Sequence, residues 1–252
     1  MPVFLAVTPA EEAGCRRFRT PLVHIAYAVG DGGRLLRSAL PRGAQGGLMG
    51  LSDHCAGPLP RPEAICRAIA AECSSRRFGG VLADFEGAAG HDRLTFLSQL
   101  GAWLARGGKR LYVPERFAVP EASVLVCTAI SGGTLRECLT DAAARYGAAR
   151  VALDCQRLAM DFTLPCRSGE GTPLTREELS ALRERSGAAV FFSEELCANY
   201  FSFQRGAQAH FVLFDTAETL RRKLLLARER GMETAFLMYP EVDDLLPALF
   251  AT

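Results

Sequence analysis

The chain has 252 residues, 49% hydrophobic and 23% charged, and its 29 Lys+Arg stand against 28 Asp+Glu for a formal net charge of +1. That composition fits one large α/β unit or two small ones and excludes extended disorder, collagen-like repeats and coiled coil. So even a balance supplies no broad cationic field, and nucleic acid is not an expected partner.

Val3 to Thr8 is the first of eight apolar runs of strand length. The residues around it carry no basic region and are too short for a secretory signal, and no run approaches the ~20 residues that cross a bilayer. A cytoplasmic place is therefore expected, with no membrane partner. Leu22 to Ala28 and Gly47 to Ser52 are the second and third strands. Arg61 to Phe78 reads as a helix, with Pro62 near its first turn and Ile65, Ile69 and Cys73 at i, i+4, i+8. Gly80 to Glu86 is the fourth strand. Asp92 to Arg106 aligns Leu94, Leu97, Leu100, Trp103 and Leu104 and stops at Gly107-Gly108.

Arg110 to Pro114 and Ser123 to Ala129 are the fifth and sixth strands, and the link from Glu115 to Ala122 between them is too short for a helix. Thr134 to Tyr146 is a helix stopped by Gly147, and Arg150 to Gln156 is the seventh strand. Thr175 with Glu178, and Thr216 with Thr219, cap helices that run to Arg185 and Arg230. Arg221-Arg222-Lys223 on the second of these is expected to face solvent. Thr234 to Tyr239 is the eighth strand. Before it, Ala188 to Phe192, Asn199 to Gln204 and Ala209 to Asp215 read as short strands joined by turns, an antiparallel insertion over 188–215 at the rim.

Strands apolar along their whole length are covered on both faces, and their alternation with helices predicts parallel βα units. Eight of them in this length match a single, somewhat irregular (β/α)₈ TIM barrel spanning 1–252. The nine cysteines are odd in number, lack Cys-x-x-Cys spacing and fall partly in apolar runs, so buried free thiols are expected. The four histidines show no i, i+4 spacing, and no metal site is expected.

In such a barrel functional side chains gather at the C-terminal ends of the strands. The fourth strand ends in Asp84-Phe85-Glu86. Residues two apart share a face of a strand, so Asp84 and Glu86 point the same way, toward the barrel axis. Two carboxyls this close cannot both ionise freely, and one keeps its proton to higher pH, as a general acid must. Tyr27 and Tyr239 lie near strand ends, where a ring can stack on a sugar. Asp154, Gln156 and Asp215 are candidate polar groups of a cleft. Ser52-Asp53-His54 does not form a relay, because adjacent side chains diverge.

Gly79 to Glu86 resembles the D-G-x-D-x-D-x-E signature of glycoside hydrolase family 18, keeping Gly80, Asp84 and Glu86 and replacing the first and middle Asp by Gly79 and Leu82. Val23 to Leu35 resembles the family's second strand, Arg150 to Phe162 its seventh, and Tyr200 to Tyr239 its C-terminal part in the spore-cortex-lytic, peptidoglycan-directed branch. The resemblance implies substrate-assisted, retaining hydrolysis of β-1,4 bonds beside an N-acetylated amino sugar, with Glu86 as acid/base, Asp84 orienting the acetamido group and no cofactor. The implied partner is an oligosaccharide of chitin or peptidoglycan type. Relatives placed in spores without a secretory signal make spore association the alternative location. On the sixth strand the family carries a Tyr and an Asp where this chain has Cys127-Thr128-Ala129-Ile130, and on the eighth a Trp where it has Met238 and Tyr239. These departures keep open two alternatives: a carbohydrate- or protein-binding pseudoenzyme on the same scaffold, and an unrelated barrel enzyme using Asp84 and Glu86 on another sugar.

Overall fold

A computed structural model describes residues 1–38, 44–59, 62–166 and 169–251. The eight expected strands form: β1 (Val3–Val7), β2 (Leu22–Gly30), β4 (Leu48–Asp53), β5 (Gly80–Asp84), β6 (Arg110–Pro114), β7 (Ser123–Cys127), β8 (Val151–Asp154) and β14 (Thr234–Met238). They pair in parallel in this order, and pairings of β1 with both β2 and β14 close the ring. A short strand β3 (Arg34–Arg37) adds antiparallel to β2 outside the ring.

All eight strands contribute to one interior cluster. Ala6, Val23, Leu48, Leu82, Tyr112, Ala152 and Phe236 are buried there, with Phe4, Ile25, Leu125 and Met238 against them. The opposite faces of the strands meet the helices. On one side β2, β4, β5 and β6 pack on α2 (Pro62–Ser75) and α3 (His91–Arg106) through Met49, Ile65, Ile69, Val81, Phe96 and Leu100. On the other, β1, β7, β8 and β14 pack on α4 (Leu135–Tyr146), α6 (Ala217–Arg228), a short α1 (Glu12–Cys15) and the short α7 (Tyr239–Val242) and α8 (Leu246–Leu249).

Helix α2 stops earlier than expected, and Arg77, with φ 58°, turns the chain into β5; its expected first residue, Arg61, lies outside the described residues. Gly80 is fixed by packing, since a Cβ there would run into the carbonyl of Arg110 on β6. The retained glycine of the fourth-strand motif thus has a local structural cause. The link from β6 to β7 holds only a 3₁₀ turn over Glu115–Phe117, as its length predicts.

The antiparallel insertion is larger than expected. Its sheet runs in the order β10-β9-β13-β12-β11 and begins at β9 (Ala159–Leu164), followed by β10 (Thr172–Pro173), β11 (Phe191–Ser193), β12 (Ala198–Arg205) and β13 (Gln208–Phe214). The expected bounds, 188–215, omit β9 and β10. Between them and the rest, α5 (Arg176–Ser186) covers one face of the sheet through Leu179, Leu182, Phe201, Val212 and Phe214. The other face packs Phe162, Ala198 and Leu213 toward Ala129, beyond β7.

The nine cysteines are free; six are buried, Cys138 and Cys166 are half-buried, and Cys127 is exposed. Among the described residues, no helix is long and apolar enough to cross a membrane.

Candidate active site

Alternation along β5 builds the centre of the site. Val81, Ala83 and Phe85 point outward into the helix layer, while Leu82 belongs to the interior cluster. Asp84 and Glu86 continue the inward set beyond Leu82. Phe85 locks this phase, stacked on Phe96 at 6.1 Å and edge-on to Phe117 at 5.8 Å. Three residues past the strand, Gly87 takes φ 82°, and Arg116 Nη1 donates to its carbonyl at 3.0 Å. The chain that carries Glu86 is therefore held from the β6–β7 link.

Asp84 and Glu86 open into a cleft of about 960 Å³. Leu125, Cys127, Asp154 and Gln156 face them from β7 and the end of β8, and Glu115, Arg116, Arg145 and Tyr146 form the outer wall beside the helix-free link. Tyr146 donates its hydroxyl to Glu115 at 3.1 Å, and the Arg145 guanidinium lies 5.2 Å from its ring centre.

The electrostatics are those of crowded acids. Asp84 meets the cleft water, yet the surrounding wall desolvates it, and burial followed by the Glu86 charge raises its carboxyl above the ordinary range. Asp154 is pushed up to about 6, first by burial, with the charges of Glu241 and Asp84 adding to it and the hydrogen bond from Gln156 Nε2 (2.8 Å) opposing it. Two carboxyls on opposite sides of one barrel mouth thus hold protons more tightly than free acids do.

Of the eight residues expected at the site, Asp84, Glu86, Asp154 and Gln156 line this cleft. Met238 joins the interior cluster at the end of β14. Three lie elsewhere. Tyr27 is buried between β2 and α2, with its hydroxyl donating to Glu72 Oε1 at 2.9 Å and its ring edge-on to Phe78. A register shift between Ile25 and Tyr27 against β4 inserts one extra residue, and this moves Tyr27 from the inner to the outer face. Tyr239 begins α7, so strand alternation no longer governs it; its ring joins the outer cluster, and a Cβ at Gly14 would meet its hydroxyl oxygen.

Asp215 is fully buried and accepts from Lys223 Nζ (2.8 Å), Leu158 N (2.9 Å) and Thr219 Oγ1 (2.8 Å). It ties the insertion to α6. Lys223, expected in solvent, is its buried partner, and the helical period carried the signal, since Lys223 shares a stripe with Leu220 and Ala227. Asp53 is likewise engaged, accepting from Arg93 Nε at 2.7 Å and from the Cys55 amide at 3.0 Å, which leaves no relay with Ser52 and His54. Glu115, Arg116, Arg145 and Tyr146 were not expected at the site. Tertiary packing brings them there from a link and a last helical turn, while the Glu241 charge acts on Asp154 from α7. Among the described residues, no group of His, Cys, Asp or Glu could hold a metal ion.

No family model matches the sequence, and no curated protein does either. Solved structures do match. The spore cortex-lytic enzyme SleL of Bacillus megaterium superposes with a TM-score of 0.69 at 16% identity, over 99% of this chain and 72% of that one. A chitinase from Chromobacterium violaceum gives 0.72 at 17%, over 99% and 98%. A family 18 chitinase from Cycas revoluta, in complex with (GlcNAc)3, gives 0.61 at 13%, over 99% and 98%. What the chain shares with these proteins is its fold. The closed (β/α)₈ barrel superposes on those of chitinases and SleL over nearly the whole of this chain.

Proposed function

We propose that the protein is a glycosidase that cleaves β-1,4 bonds next to an N-acetylated amino sugar by substrate-assisted, retaining catalysis. The observation that carries this reading is the pair Asp84 and Glu86, aligned at the end of the fourth barrel strand and opening into the cleft at the mouth of a chitinase-like barrel. Glu86 protonates the glycosidic oxygen as that bond breaks. The acetamido carbonyl oxygen of the same sugar bonds to the anomeric carbon, and Asp84 orients the acetamido group and balances the positive charge that develops on it. Water then attacks the anomeric carbon, giving up a proton to Glu86, and the acetamido group is released with the original configuration restored. No cofactor enters these steps. Oligomers of chitin or peptidoglycan type are the substrates, and the cytoplasm or the spore is the place of action.

Wild-type protein releases reducing ends from N-acetylglucosamine oligomers, whereas Glu86→Gln abolishes release and leaves oligomer binding largely intact. De-acetylated oligomers are not cleaved, because they lack the internal nucleophile. Absence of release from wild type at every pH from 4 to 8 would remove the hydrolase reading. A second reading has its own observation: the sixth barrel strand ends in an exposed thiol, Cys127, rather than a strong hydrogen-bond donor. On that reading the protein binds such oligomers without cleaving them, and the same experiment gives binding with no release from wild type.

A further inference from the structure

Two carboxyls of the cleft take no part in the steps above: Glu115, engaged by Tyr146 on the outer wall, and Asp154. Asp154 ends β8, in register with Cys127 of β7 on one side and Phe236 of β14 on the other. It lines the same cleft as Asp84 and Glu86, and its Oδ2 accepts from Gln156 at 2.8 Å. The charges that act on it from the surrounding elements are those of Asp84 on β5 and Glu241 on α7, both negative, with Glu86 in the same cleft.

Among the described residues, no cation pairs with Asp154. The neighbouring Arg157 donates from Nη1 to the Glu241 carbonyl (3.0 Å) and to Asp244 (2.8 Å), and Arg116 donates to Gly87. The Cys127 thiol, open to the cleft yet desolvated by its wall, is shifted upward and lies beside it as a neutral group. A half-buried anion with one amide donor and like charges on two sides is a costly ion, and proton uptake relieves it. Its free oxygen then becomes an O–H donor.

We propose that Asp154 acts as a neutral carboxylic acid, donating a hydrogen bond to the sugar seated over Asp84 and Glu86; this rests on the glycosidase reading. The neutral acid gives the mouth of the barrel a donor beside Cys127. Ionisation removes that donor and adds another negative charge beside Asp84 and Glu86 in a cleft that also holds Glu115. The sign follows from the upward shift: the donor is present at low pH and is lost as pH rises through about 6.

The test measures affinity apart from turnover. Binding of N-acetylglucosamine tetramer is followed by calorimetry between about pH 5 and pH 8 in Glu86→Gln protein, with and without Asp154→Asn or Asp154→Ala. Glu86 is absent from all three, so the difference between them reports on the carboxyl at position 154 together with its coupling to Asp84. Expected is a fall in affinity of roughly tenfold between about pH 6 and pH 8 with Asp154 present. Asp154→Ala binds weakly throughout, and Asp154→Asn, which keeps a neutral donor, restores most of the low-pH affinity and flattens the profile. In the Glu86 background, kcat/KM of Asp154→Asn outlasts that of wild type toward alkaline pH.

Two results overturn the proposal: an Asp154→Asn profile as steep as that of the parent, or an Asp154→Asn protein as weak as Asp154→Ala, which would assign the work to the carboxylate. Thermal melting of each variant separates these results from loss of fold. A tetramer that is neither bound nor cleaved by wild type at any pH overturns the glycosidase reading itself, and this proposal with it. Binding or cleavage with no effect of Asp154→Asn overturns this proposal alone.

Discussion

Replacing Lys223 by Met has a cost that follows from the geometry. Lys223 and Asp215 are both 0% exposed and meet at 2.8 Å. Met fills nearly the same space, so packing around α6 is largely kept while the ammonium is lost. Asp215 is left as a buried carboxylate without its counter-charge, and breaking such a pair from one side costs about 3–5 kcal/mol. Two donors remain, the Leu158 amide and the Thr219 hydroxyl, which place the loss near the low end, about 3 kcal/mol. At about 2–4 °C per kcal/mol for a chain near this size, the melting midpoint falls by roughly 6–12 °C. Urea unfolding at pH 7 and thermal melting both read this. Adding Asp215→Asn to Lys223→Met removes the orphan charge and recovers more than half of the loss. A Lys223→Met protein within about 1 kcal/mol of wild type would refute the reasoning, because the pair would then not be holding the insertion to the barrel.

Tyr27→Phe deletes the hydroxyl that donates to Glu72. It lowers stability by about 1 kcal/mol in urea unfolding and leaves kcat/KM on oligomers as in wild type, whereas a tyrosine that stacked on sugar would show its loss in KM. Arg116→Gln releases the Gly87 carbonyl and loosens the chain carrying Glu86, and kcat falls several-fold with KM little changed. Equal kcat in the two proteins would show that Glu86 needs no such hold.

The eight barrel strands were legible because each is covered on both faces and so reads as an unbroken apolar run. That Asp84 and Glu86 share a face was legible from strand alternation alone, and the structure adds that Phe85 fixes its phase by packing in the helix layer. Tyr27 was misplaced for the opposite reason. A single extra residue at the shift after Ile25 reverses the face of all that follows, and nothing in Ala26-Tyr27-Ala28 marks it. Strand β9 alternates Met160, Asp161, Phe162 and Thr163 as a half-covered strand does, yet its partner β13 lies far along the chain, and a four-residue alternation next to the seventh strand does not by itself announce that pairing. Lys223 was hidden by its neighbours, since Arg221 and Arg222 give the triplet the look of a solvated face although the helical stripe runs through Lys223. Arg116 and Tyr146 reach the cleft only because the β6–β7 link omits a helix, a consequence of tertiary packing that no local pattern announces.

The account turns on Glu86 meeting a glycosidic oxygen inside the cleft. A crystal structure of Glu86→Gln protein soaked with N-acetylglucosamine tetramer tests this directly. The account predicts sugar rings on both sides of position 86, the bridging oxygen within hydrogen-bonding reach of the new amide, and an acetamido group beside Asp84. A tetramer seated elsewhere on the barrel, or one in the cleft with its linkages out of reach of that position, would contradict it.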